Sequence, residues 1–179
     1  LKDLTLDPKV AAPSNPTIID TDLKMNSTWK TSLALDAKLP LDIDFSLEGI
    51  YSRDYNPAVV TNLSRFWDGT SYIELAPGDK RRLFSKQGSD AYMITNGGKK
   101  AYYYSITASL AKKFGFGLDL AASYTYSKAR SYGDGIGDQV NSAYYNNRYS
   151  VNGNNDMELG YGTYVAPNRL LISASFHKD

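Results

Sequence analysis

Apolar and polar side chains alternate along residues 101–129, AYYYSITASLAKKFGFGLDLAASYTYSKA. Successive side chains of a β-strand point to opposite faces, so this pattern predicts two strands joined by a turn at residues 112–115. A helix, with its period of about 3.6 residues, would mix the two sets. The apolar face of the predicted hairpin carries Tyr102, Tyr104, Ile106, Ala108 and Leu110 from the first strand, and Phe116, Leu118, Leu120, Ala122, Tyr124 and Tyr126 from the second.

The same alternation predicts five strands in all, at about residues 28–39, 43–53, 101–113, 116–129 and 168–177. A tight turn at residues 40–42 joins the first two strands into a hairpin. Two long polar stretches, residues 54–100 and 130–167, separate the other strands. Residues 1–26 contain three prolines and are predicted to be a loop or extended segment.

The connections between the predicted strands alternate between short and long. Compact soluble sheets seldom carry two loops as long as residues 54–100 and 130–167. Outer-membrane barrels do so regularly, with short periplasmic turns and long extracellular loops. We therefore predict an all-β fold of antiparallel up-and-down strands, a section of a transmembrane β-barrel over residues 1–179. Its apolar face would contact lipid, and two apolar pieces at 58–63 and 91–95 can prolong the neighbouring strands.

Aromatic residues gather at one level of these strands. If the short turns are periplasmic, six of them fall at the outer rim, where Tyr and Trp are enriched in membrane proteins. The predicted membrane-interface residues are Trp29, Tyr51, Tyr102, Tyr104, Tyr124 and Tyr126. This arrangement predicts a protein of the outer membrane of a Gram-negative cell, with outer-membrane lipid as a partner.

Five strands are too few for a membrane barrel, which needs about eight. Backbone groups cannot remain unpaired in lipid. We therefore expect both edges of the predicted sheet to pair with remaining barrel strands that are not part of this sequence. An isolated chain would hide its open edges by oligomerising or by pairing with another chain.

Composition limits the chemistry that the chain can perform. A formal net charge of +1 gives no electrostatic case for nucleic acid. Cysteine is absent and His177 is the single histidine, so the usual zinc ligands are missing. No nucleophile and base stand at a diagnostic spacing, and the glycine-rich run at 133–138 lacks the closing residues of a calcium loop or P-loop. We expect no enzyme activity, no metal and no cofactor.

The long stretches between strands are rich in aromatic residues that alternate with Asn, Arg and Asp. Such side chains can stack on a polar ligand and hydrogen-bond to it. Contact with neighbouring loops is the simpler explanation for any one of them. As a group, the candidate ligand-binding residues are Trp67, Tyr72, Tyr132, Tyr144, Tyr145 and Tyr149.

Three stretches resemble the barrel of a TonB-dependent outer-membrane transporter, of the Oar-like kind whose full-length members carry a carboxypeptidase-regulatory-like domain before the plug. They are IIDTDLKMNSTWKTSLALDAKLP, LEGIYSRDYN and YVAPNRLLISASF. In the last, Pro167-Asn168-Arg169 is similar to the family's Pro-His-Arg pattern, with Asn in the His position. The resemblance implies import of a scarce or bulky nutrient, energised by the TonB complex acting on a plug domain. The sequence includes no plug, so this section alone is not expected to transport.

Two alternatives share the same strand pattern. A non-transporting barrel, such as a porin or an adhesin anchor, would obey the same physics, and a plug domain upstream would distinguish a transporter from it. A soluble antiparallel barrel or sandwich that binds a small ligand would turn its apolar face inward. In that case Leu35, Leu118 and Ile172 would converge on a dry centre.

Overall fold

A computed structural model describes residues 15–133, 139–145, 151–162 and 164–177. Its elements in chain order are β1 (Thr17–Ile19), β2 (Ser27–Leu39), a 3-10 turn (Pro40–Asp42), β3 (Ile43–Tyr55), β4 (Ala58–Asn62), β5 (Arg65–Phe66), β6 (Tyr72–Ile73), β7 (Arg81–Arg82), β8 (Ser85–Lys86), β9 (Tyr92–Asn96), β10 (Tyr102–Lys113), β11 (Leu118–Ser131), α1 (Val140–Tyr145), β12 (Gly160–Tyr161) and β13 (Asn168–Phe176). Within these residues no α-helix is long and apolar enough to cross a membrane.

The chain divides into two compact units. The sheet unit consists of Met25–Pro57, Gly98–Asp134 and Leu159–Asp179. The loop unit consists of Leu1–Lys24, Ala58–Gly97 and Gly135–Glu158. Most of residues 54–100 and most of residues 130–167 therefore belong to the loop unit rather than to the sheet unit.

The sheet unit is an antiparallel meander in which every long strand pairs with the next. Its order is β2-β3-β10-β11-β13, and the short β12 pairs with the far end of β11. The limits of the five long strands lie within two residues of those predicted from the alternation. The predicted fold class, antiparallel up-and-down strands with short turns and long connections, is confirmed.

The register places side chains of all five long strands in common rows. One row consists of Leu35, Leu47, Ala108, Tyr124 and Leu170. The next row on that face consists of Ala37, Phe45, Leu110, Ala122 and Ile172. Between them, on the opposite face, lie Asp36, Ser46, Ser109, Ser123 and Leu171. One face of the sheet is thus apolar and the other is small and polar.

Burial in the sheet unit is the reverse of that in a soluble protein. Ser105 and Ser127, on the polar face, are only 5% and 7% exposed, whereas Leu33 and Ile172, on the apolar face, are 81% and 69% exposed. Folding of a water-soluble sheet normally removes such leucines and isoleucines from solvent. The described residues do not have the dry centre that the soluble alternative requires, because Leu35 is also exposed.

Two turns at one end of the sheet depend on unusual backbone angles. Leu41 and Asp42, between β2 and β3, have φ of 68° and 56°. Gly117, immediately before β11, has φ of 90°, and its carbonyl accepts a hydrogen bond from the His177 amide at 3.0 Å. That bond fastens the end of β13 to the turn between β10 and β11.

The loop unit has its own small sheet, in which β9 lies between β1 and β4. β1 is parallel to β9 and β4 is antiparallel to it. The apolar pieces at 58–63 and 91–95 therefore pair with each other in a separate sheet, where the sequence suggested that they could prolong the long strands. The side chains of Val59, Tyr92 and Tyr144 are buried and form the core of this unit.

Candidate functional site

The predicted interface residues lie in successive rows at one end of the apolar face. Tyr104 is directly opposite Tyr51 on β3 and Lys128 on β11. Ring centroids are 5.8 Å apart for Trp29–Tyr51, 6.3 Å for Tyr102–Tyr104 and 6.1 Å for Tyr104–Tyr126. Tyr124 lies one row nearer the turns than Tyr126, and its hydroxyl donates a 2.6 Å hydrogen bond to Asn168. The structure therefore brings all six residues into one aromatic band across the sheet.

In the row of Tyr124 and in the rows nearer the turns, the apolar face consists mainly of aliphatic side chains. Leu35, Leu110, Leu170 and Ile172 are all exposed. A surface of this kind would cost a soluble protein a large part of its hydrophobic stabilisation, whereas lipid tails solvate it without loss. The arrangement can serve as a lipid-facing wall with an aromatic belt at one rim.

In the loop unit, Trp67 and Tyr72 form an edge-to-face pair with ring centroids 5.6 Å apart. The indole Nε1 donates a 2.7 Å hydrogen bond to the carbonyl of Ser71. The Arg82 guanidinium lies 4.6 Å from the Trp67 ring centroid and also pairs with Asp156 at 2.8 Å. Because Arg82 is held from both sides, the Trp67 and Tyr72 rings keep a fixed orientation, and Tyr72 remains exposed.

Tyr72 also lines an open cavity of about 620 Å³ that the segment from β6 to β7 encloses. The side chain of Arg81 holds the carboxylate of Asp79 with two hydrogen bonds, from Nε at 2.9 Å and from Nη2 at 2.6 Å. Hydrogen bonds from the Arg81 side chain lower the pKa of Asp79 from its usual 3.8 to about 2. The lining also includes the charged side chains of Glu74 and Lys80 and the apolar residues Leu75, Ala76 and Pro77. Such a lining suits a ligand that carries polar groups as well as apolar surface.

The other candidate aromatic residues lie elsewhere. Tyr144 is only 2% exposed and packs on Tyr92, with ring centroids 5.5 Å apart. Tyr145 is exposed and donates a hydrogen bond to Asp90 at 3.0 Å. Tyr132 is buried in the sheet unit, where its hydroxyl accepts a bond from the Lys99 amide. Tyr149 lies outside the described residues. Of the candidate residues that the structure describes in the loop unit, Tyr72 and Tyr145 are therefore exposed and Trp67 is half-buried.

Hydrogen bonds of the buried Asn62 side chain and backbone join separate segments of the loop unit. Asn62, 1% exposed, donates from Nδ2 to Asp90 at 2.9 Å and accepts bonds from Ser64. Its backbone amide donates to Asn155 at 2.8 Å, and Asn155 in turn donates to the Arg65 carbonyl. These bonds join segments far apart in the chain, and alternation along the sequence contains no signal for them. Asn62, Arg82, Asp90 and Asn155 were therefore not among the predicted residues.

Among the described residues no three His, Cys, Asp or Glu side chains are grouped so that they could hold a metal ion. The two features with functional geometry are thus the apolar face with its aromatic band and the Trp67–Tyr72 pair, of which the exposed Tyr72 lines the cavity.

Comparisons with known proteins agree with the geometry of the sheet. The family described as outer membrane beta barrel domain matches residues 4–177, nearly the whole chain. No curated protein and no solved structure matches significantly. The family match and the exposed apolar face identify the same architecture by independent routes. The chain belongs to the outer membrane beta barrel domain family.

Proposed function

We propose that this barrel section is part of an active importer that takes a scarce or bulky nutrient across the outer membrane of a Gram-negative cell. The TonB complex would supply the energy through a plug domain of the parent protein. The remaining strands of that protein would complete the barrel around the open edges of β2 and β13, and the polar face of the sheet would line the lumen. This section alone would not transport, and we expect no enzyme activity from it.

One observation favours an importer over a porin or an adhesin anchor. The stretches between the long strands fold into a loop unit with its own buried core, in which Val59, Tyr92 and Tyr144 are buried. That unit holds an exposed aromatic residue, Tyr72, beside a charged cavity. A membrane anchor has no use for such a surface, whereas a receptor for a polar nutrient requires one. The resemblance of the strand sequences to TonB-dependent barrels supports the same proposal.

Uptake by whole cells tests the energy source. Cells that overproduce the full-length protein, with and without TonB, are incubated in yeast extract, and the loss of each solute is measured by mass spectrometry. We expect at least one solute to disappear only when TonB is present. Solutes that disappear equally in both strains would contradict TonB-driven import.

Two variants, one in the loop unit and one in the sheet unit, test where the nutrient binds. Trp67→Ala removes the ring that orients Tyr72 and should slow uptake at low solute concentration. Tyr164→Ala, at a residue of the sheet unit that is 90% exposed, is the matched control and should leave uptake unchanged. Equal effects of both variants would contradict a ligand site at Trp67 and Tyr72.

A conductance measurement tests the alternative. The purified full-length protein in a planar bilayer should conduct little current if a plug fills its barrel. A large, steady conductance together with a parent reading frame that lacks a plug domain would favour the porin.

A further inference from the structure

Charges are distributed unequally between the two faces of the sheet. Every acidic side chain of the long strands lies on the polar face, at Asp36, Asp44, Glu48, Asp54 and Asp119. On the apolar face, the charged side chains of the long strands are all cations: Arg53, Lys112, Lys128 and Arg130. Lys112 is at the turn end, and the other three are at the end with the aromatic band. Alternation of polar and apolar residues does not require this separation by sign.

The three cations at the aromatic end form a compact group. Tyr102 on β10 is directly opposite Arg53 on one side and Arg130 on the other. Lys128 is in the next row, opposite Tyr104. Neighbouring strands are about 4.8 Å apart, so the Arg53 and Arg130 backbones lie about 10 Å apart across Tyr102. Two arginines and one lysine therefore occupy the strand positions directly opposite Tyr102 and Tyr104.

Contacts within the sheet unit orient the two arginines of this group. Arg130 donates from Nη1 to the Leu159 carbonyl at 3.1 Å, and its guanidinium lies 3.9 Å from the Tyr161 ring centroid. Arg53 lies 5.8 Å from the ring centroid of Tyr55, on its own strand. Lys100 adds a fourth cation, with Nζ 4.5 Å from that same ring centroid. Fixed cations lose less freedom on binding an anion than mobile ones.

No carboxylate neutralises this group within the part of the chain that the structure describes. The ion pairs there are Lys38–Asp42, Arg81–Asp79, Arg82–Asp156 and Lys86–Asp90. Arg53, Lys128 and Arg130 take part in none of them. Their charge therefore remains available for a partner outside the chain.

We propose that Arg53, Lys128 and Arg130, together with Tyr102 and Tyr104, bind the phosphate of an anionic membrane lipid. The exposed aliphatic rows continue directly from this group on the same face, so one molecule can place its phosphate among the cations and its acyl chains on the leucines. Guanidinium groups favour phosphate oxygens because they form two parallel hydrogen bonds. A free anion would gain nothing from the apolar rows. This lipid site goes beyond import and does not depend on it.

The test measures lipid retained by the purified full-length protein. The protein is placed in mixed vesicles of dioleoyl phosphatidylglycerol and dioleoyl phosphatidylcholine, extracted with mild detergent, and weighed by native mass spectrometry. We expect the anionic lipid to be retained in preference to the zwitterionic one, although their acyl chains are identical. Each cation near a membrane surface contributes about a fivefold preference, so Arg53→Gln, Lys128→Gln and Arg130→Gln should each reduce the preference about fivefold.

Matched variants separate a lipid site from general charge and from folding. Lys112→Gln removes the cation at the opposite end of the same face and should leave the preference at the aromatic end unchanged. The double variant Arg53→Lys with Arg130→Lys keeps the charge and should retain most of the preference. Heat-dependent gel mobility reports whether each variant is folded, and the remaining single variants keep the test informative if one of them does not fold.

Three results would overturn the proposal. Equal retention of both lipids by the native protein would show that no anionic headgroup is selected. An unchanged preference in folded variants of Arg53, Lys128 and Arg130 would place the selection elsewhere. Displacement of the lipid by inorganic phosphate at the same concentration would show a site for a free anion.

Discussion

Asn62 shows how single polar residues hold the loop unit together. Its side chain has three different kinds of partner: the Asp90 carboxylate, the Ser64 amide and the Ser64 hydroxyl. A buried amide without such partners would cost roughly 1–3 kcal/mol for each unsatisfied group. Because Asn62 and Ser64 are buried beside the apolar core of Val59, Tyr92 and Tyr144, hydrogen bonds as well as apolar contacts specify the geometry of this unit.

Asp90 makes this network dependent on pH. The hydrogen bond from the Asn62 amide, followed by those from Tyr145 and Lys86, lowers the pKa of Asp90 from 3.8 to about 2. A carboxylate with a lowered pKa stabilises the folded state above its unfolded pKa, and that stability is lost as pH falls towards the folded value. We therefore expect the loop unit to unfold at lower urea concentration as pH falls from about 4 to about 2.

Fluorescence of Trp67 reports this change if the second of the two tryptophans is removed by Trp29→Phe. In that background Asp90→Asn should flatten the dependence of the urea midpoint on pH. Asp68 and Asp79, whose pKa values are also lowered to about 2, remain in both proteins and supply the common part of the slope. Identical slopes with and without Asp90 would contradict its role.

At the residue scale the sequence predicted which side chains share a face, because the period of a strand is a local property. It did not predict the partners of Asn62 or the position of Tyr144. Asn62 and Asn155 are separated by 93 positions in the chain. Tyr144 stands in a stretch rich in polar residues, which is typical of a surface segment, and yet its ring packs on Tyr92 in the core. Burial of that kind depends on contacts that no local pattern contains.

Among the elements, the turn at Gly117 can be tested most directly. A Cβ at this position would lie 2.1 Å from the carbonyl oxygen of His177, far inside any allowed contact, and the φ of 90° disfavours every residue except glycine. We expect Gly117→Ala to lower the free energy of unfolding by about 1–3 kcal/mol through loss of the β11–β13 pairing at that end.

Gly115 in the same turn provides the control, because a Cβ there meets no atom within 4 Å. Urea titration of refolded protein in lipid vesicles measures both variants. Gly115→Ala should unfold near the native midpoint, and an equal loss in the two variants would show that the turn as a whole, rather than the close approach to His177, is sensitive.

The orientation of β2 is a second property of an element that can be measured. Leu35 is on the apolar face and Ala34 on the polar face, opposite Leu47 and Glu48. Arginine on the lipid face of a barrel near the membrane centre costs about 2–4 kcal/mol. We expect Leu35→Arg to weaken folding into vesicles by about that amount and Ala34→Arg to have little effect. A larger loss from Ala34→Arg would mean that the polar face is the one in contact with lipid.

The long strands were predictable because each carries enough alternating residues to define its faces without a partner. The strands of the loop unit were not, since β5, β6, β7 and β8 have two residues each and exist only through pairing. β1 lies in a segment that the sequence indicated as loop or extended, and it becomes a strand because β9 supplies a parallel partner. Short strands of this kind are products of tertiary structure rather than of local propensity.

For the whole molecule, burial of serines and exposure of leucines in the same sheet are explained by a change of solvent. A strand section in lipid turns its apolar face outward and keeps small polar residues inside, where neighbouring strands approach one another closely. The family match, which extends over residues 4–177, requires the same arrangement. The stability of the folded chain therefore depends on the lipid of the outer membrane. A free energy of unfolding measured in water alone would omit the favourable contact between the apolar face and lipid.

The open edges of the sheet lead to the last prediction. β2 pairs only with β3, and β13 only with β11, among the strands that the structure describes. All thirteen residues of β2 and all nine of β13 are exposed. Detergent covers an apolar face but cannot supply the hydrogen bonds that an edge strand lacks. We therefore expect the isolated 179-residue chain to form dimers or larger assemblies in mild detergent.

Light scattering coupled to size exclusion measures the assembly, with detergent mass subtracted. The full-length protein in the same detergent is the control, and we expect a monomer because its own remaining strands would occupy both edges. A monodisperse monomer of the isolated chain would contradict edge pairing, and an oligomer of the full-length protein would show that association has another cause. The comparison separates association through strand edges from association through the apolar face, because the detergent covers that face in both samples.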